Sequence, residues 1–185
     1  MKKLIFSTFI LAVLFSCKKN ETADRLEMPE APKQMTNTTV KVPNGNLAEV
    51  NQSQLEALLA PKNNDTIYVT NFFATWCGPC KMELPDFKEK MEELKGKPVK
   101  FTFVSLDAKE EWNTTVRDFA KEKELTDHIL LFDAAAISPE YFKTITNTWD
   151  GGSIPFTVIK KGNRTDETVG MLTREALNAK LEAFK

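Results

Sequence analysis

The sequence predicts an α/β domain built on a mixed central sheet with helices on both faces. Three patterns carry that expectation. Residues 67–73 and 99–106 are runs rich in β-branched and aromatic side chains, as strands covered on both sides require. Between and beyond them, apolar residues recur three or four apart, the period of a helix with one buried face. Near the end, Lys160-Lys161-Gly162-Asn163 separates two extended runs and reads as a hairpin turn. Helices alternating with buried strands imply parallel neighbours, and the hairpin adds antiparallel ones, so the sheet must be mixed. With 185 residues, 42% of them hydrophobic and 28% charged, the chain has material for one ordinary globular domain and some extra length. A formal net charge of −1 gives no electrostatic basis for binding nucleic acid.

The extra length lies at the start. Lys2 and Lys3 precede an apolar stretch over residues 4–15 broken only by Ser7 and Thr8, so residues 1–16 read as a signal peptide, too short to span a bilayer. Leu14-Phe15-Ser16-Cys17 resembles the lipobox of bacterial lipoproteins, with a small residue before the cysteine to be lipidated; Phe15 is bulkier than the commonest residue there. The alternative is an ordinary cleaved signal with a chance cysteine. With Cys17 as lipidation site, residues 17–37 form a lipid-anchored flexible tether: polar, interrupted by Pro29 and Pro32, and without sustained period. Such a tether would reach roughly 25 Å on average and about 70 Å when extended. The folded domain is expected over residues 38–185.

Its elements follow in order. Residues 39–42 suit an edge strand, and Pro43-Asn44-Gly45 a turn. Ser53-Gln54-Leu55-Glu56 reads as a capping box ahead of a short helix carrying Leu55, Leu58 and Leu59, which Pro61 ends. The strand at 67–73 has one central polar exception, Asn71. The helix after it places Cys80, Leu84, Phe87, Met91 and Leu94 on one face, and Gly96-Lys97-Pro98 ends it. Pro85 should kink this helix by freeing the Lys81 carbonyl. After the strand at 99–106, residues 107–123 put Trp112, Val116, Phe119 and Ala120 on one helical face, and residues 129–132 form a short strand. Ser138-Pro139 opens a helix that turns Tyr141, Phe142 and Ile145 inward and runs out at Asp150-Gly151-Gly152. Pro155 opens a strand, residues 164–169 return, and Thr173 caps a last helix burying Leu177, Leu181 and Phe184.

Where the strand at 67–73 hands over to its helix stands Trp76-Cys77-Gly78-Pro79-Cys80. Two cysteines three apart at such a junction can close a disulfide with little backbone movement. Cys77 meets the free N–H groups and positive dipole end of the helix, which stabilise a thiolate. Cys80 falls one turn in, on the apolar stripe. The expectation is an exposed attacking sulfur at Cys77 and a shielded resolving sulfur at Cys80. A zinc site or a static disulfide are the alternatives; structural zinc usually needs a second Cys/His pair, and outside the motif the chain offers only Cys17 and His128. His128, at the start of a strand, is not read as catalytic. No glycine-rich dinucleotide fingerprint appears, so no cofactor is expected.

Trp-Cys-Gly-Pro-Cys resembles the active site of the thioredoxin superfamily, and Cys80-Lys81-Met82-Glu83-Leu84-Pro85 resembles the Cys-X-X-Glu-X-Pro continuation of the TlpA/ResA-like thioredoxins of bacterial envelopes. The resemblance covers roughly three quarters of the chain. It implies a thioredoxin fold from about residue 64 onward, with an inserted helix–strand unit between Asp107 and Asp133. It implies a cis bond at Ile154-Pro155, with that loop against the sulfurs and its backbone pairing with an extended substrate. Glu83, three residues past Cys80, is the candidate for tuning that thiol's proton; the alternative is a solvated helix glutamate. Asn71 stands where thioredoxins proper carry a buried acid, and an amide cannot take the proton. Trp76 is expected as an apolar landing surface beside the sulfur. Gly78, Pro79 and Ile154 bring no side-chain donor to a thiolate, which favours a reducing couple.

The resemblance therefore implies an envelope thiol–disulfide oxidoreductase, lipid-anchored, facing the periplasm and acting as a monomer. Its substrates would be disulfides in exported proteins, and a membrane thiol reductant would resupply electrons. Three rivals remain open: an oxidase or isomerase running the chemistry the other way, a thiol peroxidase, and a binding lipoprotein whose cysteine pair is idle. Peroxiredoxins usually place proline and threonine seven and three residues before the reactive cysteine, where this chain has Thr70 and Ala74.

Overall fold

The structure, a computed structural model, describes residues 47–185. The signal segment, Cys17, the tether, the strand expected at 39–42 and the turn at Pro43-Asn44-Gly45 lie outside those residues. Among the described residues no helix is long and apolar enough to cross a membrane.

The strands are β1 (Ala48–Glu49), β2 (Ile67–Phe73), β3 (Val99–Ser105), β4 (Ile129–Leu131), β5 (Phe156–Lys161) and β6 (Arg164–Val169). The helices are α1 (Gln52–Leu59), α2 (Gly78–Glu93), α3 (Arg117–Glu122), α4 (Pro139–Ile145) and α5 (Arg174–Ala183). The sheet order is β1-β4-β3-β2-β5-β6. The first four run parallel, and β5 and β6 are each antiparallel to their inner neighbour. The expected mixed sheet is therefore present. Lys161 pairs with Arg164, which leaves Gly162-Asn163 as a two-residue loop, and Gly162 takes the positive φ of +56° that such a loop needs at its first position.

Side-chain alternation along β2 decides what each face of the sheet holds. Val69, Asn71 and Phe73 point to one side, where Leu84 and Phe87 of α2, Val116 and Ala120, and Leu177 and Leu181 of α5 close one buried cluster. Phe72 points to the other side, into a second cluster with Leu55 and Leu59 of α1, Phe142 of α4, Trp149, Phe156 and Val158. Both faces are covered, as the unbroken apolar runs require.

Two local expectations need correction, and one helix start holds its place without a side-chain bond. The capping box of α1 uses Asn51 and Gln54 rather than Ser53 and Glu56. Asn51 Oδ1 accepts from the Gln54 amide at 2.9 Å, and Gln54 Oε1 accepts from the Asn51 amide at 2.9 Å. Both pairs have the right spacing, but the earlier one starts the helix two residues sooner. The run at 107–123 is not one α-helix; a 3₁₀ turn (Lys109–Glu111) and a π-helical stretch (Trp112–Val116) precede α3. Ser138 occupies the N-cap position with Pro139 after it, yet its hydroxyl makes no capping bond.

Candidate active site

The turn from β2 into α2 builds the site. The Cys77 amide donates to the Ala74 carbonyl at 3.1 Å, and Cys77 becomes the N-cap of α2. Its Sγ accepts from the Cys80 amide at 3.2 Å. Proline is tolerated in the first turn, where Pro79 sits, because N–H groups there have no intrahelical acceptor. The helix continues through Pro85, whose missing N–H leaves the Lys81 carbonyl without its usual partner. Cys77 and Cys80 are joined in a disulfide. Each is only 4% exposed, so the expectation of an open Cys77 beside a shielded Cys80 does not hold in this oxidised state. Position separates them instead. Cys77 caps the helix at the edge of the Ile154 loop, and Cys80 belongs to the apolar face of α2.

The Ile154–Pro155 peptide bond is cis, as the resemblance implied. The Ile154 carbonyl oxygen lies 3.8 Å from Cys77 Sγ, and the Gly170 amide donates to the Pro155 carbonyl at 2.8 Å. Ile154 thus offers the sulfur a backbone acceptor, which its apolar side chain gave no reason to expect. Trp76, next to Cys77 in the chain, is 69% exposed, the most exposed large apolar side chain among the described residues.

Alternation along β2 turns Asn71 towards α2, and Thr157 stands directly opposite it on β5. Asn71 Nδ2 donates to Glu83 Oε1 at 2.8 Å and to Thr157 Oγ1 at 3.0 Å. The Leu172 amide donates to Glu83 Oε2 at 2.7 Å. Glu83 is 2% exposed, so it is no solvated helix glutamate. Burial pushes its carboxyl up to about 7, against the opposing pull of these two donors on the ionised form. Asn71 and Glu83, read separately from the sequence, are one hydrogen-bonded unit.

A second buried carboxyl was not anticipated. Asp107, just past the end of β3, accepts from the Thr75 amide at 3.0 Å to each oxygen, from Thr75 Oγ1 at 2.5 Å and from Ser105 Oγ at 2.8 Å. Its backbone carbonyl accepts from Trp112 Nε1 at 2.9 Å. An acid ending an apolar strand was the available signal, but sequence separation hid its partner Thr75. His128 stands apart from all of this, with Nδ1 3.2 Å from the Phe101 carbonyl. Among the described residues no three His, Cys, Asp or Glu side chains are grouped as metal ligands would be.

A disulfide-bonded cysteine pair at a helix start thus faces a cis-proline loop on a mixed sheet. The model of the AhpC/TSA family matches residues 31–160. The chain belongs to the AhpC/TSA family. Within it, the expected likeness to the ResA-like thioredoxins holds. Sporulation thiol-disulfide oxidoreductase A of Bacillus subtilis is 30% identical over 109 residues, which cover 59% of this chain and 62% of that protein. Thiol-disulfide oxidoreductase ResA of Bacillus cereus is 29% identical over 114 residues, 60% of each chain. The match thus spans about three fifths of these curated relatives. Among solved structures, a thioredoxin-related protein from Neisseria meningitidis serogroup B aligns with a TM-score of 0.52 and 26% identity, covering 64% of this chain and 84% of that one. This AhpC/TSA chain has the thioredoxin fold.

Proposed function

We propose that this protein is a thiol–disulfide oxidoreductase of the bacterial cell envelope that reduces disulfides in exported proteins through Cys77 and Cys80. The observation that carries the reading is the placement of Cys77 Sγ. It sits on the Cys80 amide at the start of α2, within 3.8 Å of the Ile154 carbonyl, with Trp76 exposed alongside. In the reduced protein the Cys77 thiolate attacks one sulfur of a substrate disulfide and expels the other as a thiolate. Cys80 loses its proton and attacks the mixed disulfide. The substrate leaves with two thiols, and the enzyme keeps the disulfide seen here. Two electrons and two protons pass to the substrate, and a membrane thiol reductant must resupply them. Glu83, buried and poised near neutrality, is the acceptor for the Cys80 proton.

Direction follows from how the Cys77 thiolate is held. In the disulfide Cys77 Sγ has one amide donor, which the thiolate would keep, and no side chain of Gly78, Pro79 or Ile154 adds another. The Ile154 carbonyl can only accept, so it favours the S–H form. A weakly stabilised thiolate makes the disulfide form the preferred state and the dithiol a reductant. An oxidase or isomerase would use the same atoms in reverse. The thiol-peroxidase alternative has less support, since Thr70 and Ala74 stand where proline and threonine would be needed. Leu14-Phe15-Ser16-Cys17 supports a lipid at Cys17 that tethers the domain facing the periplasm.

A Cys80→Ser variant recovered from the envelope tests both parts at once, because its mixed disulfide cannot resolve. The expected result is exported proteins linked through Cys77, on a chain whose mass gives an acylated Cys17 at its start. Recovery with no disulfide-linked partner would sink the reductase reading, and an unacylated mature chain would sink the anchor.

A further inference from the structure

Asp107 is 1% exposed and, with Glu83, is one of two buried carboxyl side chains among the described residues. No cation pairs with it there. A buried carboxylate must be compensated by hydrogen bonds, and those Asp107 receives come from two places. Ser105 Oγ donates to its side chain and accepts from its amide at 3.3 Å, while Trp112 Nε1 holds its carbonyl, so the acid itself is fixed to β3 and to the π-helical stretch. Its remaining capacity is spent on the N–H and O–H of Thr75, thirty-two positions earlier. Thr75 lies in the turn closed by the Cys77 amide and the Ala74 carbonyl, after the last residue of β2. Sheet pairing therefore ends before the segment that carries Trp76 and Cys77, and the Asp107 carboxylate is what ties that segment to the sheet's end.

We infer that Asp107 is a positioning residue for the attacking thiol: through Thr75 it fixes the turn so that Cys77 Sγ stays on the Cys80 amide. The inference rests on Cys77 being the attacking sulfur. In the disulfide the Cys80 amide, at 3.2 Å, is the one N–H that donates to Cys77 Sγ among the described residues; the same amide is placed to hold the thiolate after reduction, and a turn free to swing would lose it. The titratable groups around the pair are Cys80 and Glu83 on α2 and Asp107 itself beyond β3. A second account exists for any buried acid near a thiol, in which its negative charge simply disfavours the thiolate. The two accounts predict opposite signs.

Alkylation of reduced Cys77 by iodoacetamide across pH separates them without needing a substrate. Asp107→Asn removes the charge and offers one acceptor oxygen where two served. Thr75→Val removes the hydroxyl and leaves the charge. Both should react about two- to threefold more slowly at pH 7, as a smaller thiolate fraction implies, and Thr75→Ser should restore the parent profile. An unchanged profile in Thr75→Val, or faster alkylation in Asp107→Asn, overturns the inference. Should Asp107→Asn fail to fold, the Thr75 pair decides alone. If instead the parent protein does not exchange with any protein disulfide, the oxidoreductase reading fails while the alkylation result still stands.

Discussion

Glu83 shows how one residue's environment sets its chemistry. Two donors, Asn71 Nδ2 and the Leu172 amide, favour its ionised form, but burial outweighs them and lifts the carboxyl from 4.5 to about 7. A folded-state value above the unfolded one means that the native protein holds the proton more tightly. The corresponding stability is fully present below about pH 4.5 and is lost as pH rises through 7, a change on the order of 3 kcal/mol. Glu83→Gln cannot ionise, so its unfolding free energy should not share that loss. Denaturant titrations of the oxidised proteins between pH 5 and 8 check this: the curves should diverge, with the parent falling relative to the variant. Parallel curves would mean that Glu83 titrates as an ordinary carboxyl. Asn71 and Glu83 were each legible as candidates in the sequence, one as a polar residue in an apolar strand, the other by its distance from Cys80. Their contact was not, because Thr157 and Leu172, which complete it, come from segments eighty-odd residues away.

At the scale of elements, aromatic packing presents the loop that meets the sulfur. Trp149 follows α4, stacks on Phe156 with centroids 4.5 Å apart, and meets Phe142 at 4.7 Å and Phe72 at 4.8 Å. Its Nε1 donates to the Ser153 carbonyl at 2.7 Å, which fixes the approach to Ile154 and Pro155. Trp149→Ala should therefore destabilise the domain by about 3–5 kcal/mol, measured by urea unfolding. A loss below about 1 kcal/mol would show that the loop does not depend on this cluster. Most element types were readable because they rest on local periodicity: β2, β5, β6 and α5 match their expected positions closely, whereas the two-residue β1 is too short to carry such a signal. The start of α1 and the inside of the 107–123 run were less so. Asn51-Gln54 and Ser53-Glu56 satisfy the same spacing rule, and only tertiary packing chooses between them. An apolar stripe does not distinguish α from π winding over five residues, so Trp112–Val116 could not be foreseen.

Across the whole molecule, the dithiol, Asp107 and the Ile154 loop meet where strand direction changes. β2 has a parallel neighbour, β3, on one side and an antiparallel one, β5, on the other. The carboxyl ends of β2 and β3 and the start of β5 therefore converge, which is where open α/β sheets place their sites. The same topology buries Glu83 on α2, the helix that carries the disulfide, and leaves Trp76 exposed. That convergence was foreseen only through the family likeness of Trp-Cys-Gly-Pro-Cys and Ile154-Pro155, since periodicity alone does not order strands in a sheet. In the function proposed above, this arrangement yields a reducing dithiol. Equilibration of the purified domain in glutathione and dithiothreitol buffers, read by alkylation and mass, measures it directly. The cysteine pair should show one two-electron transition with a midpoint nearer thioredoxin's, about −270 mV, than the strong oxidant's, about −120 mV. A midpoint above about −160 mV, or no two-electron transition at Cys77 and Cys80, would contradict it.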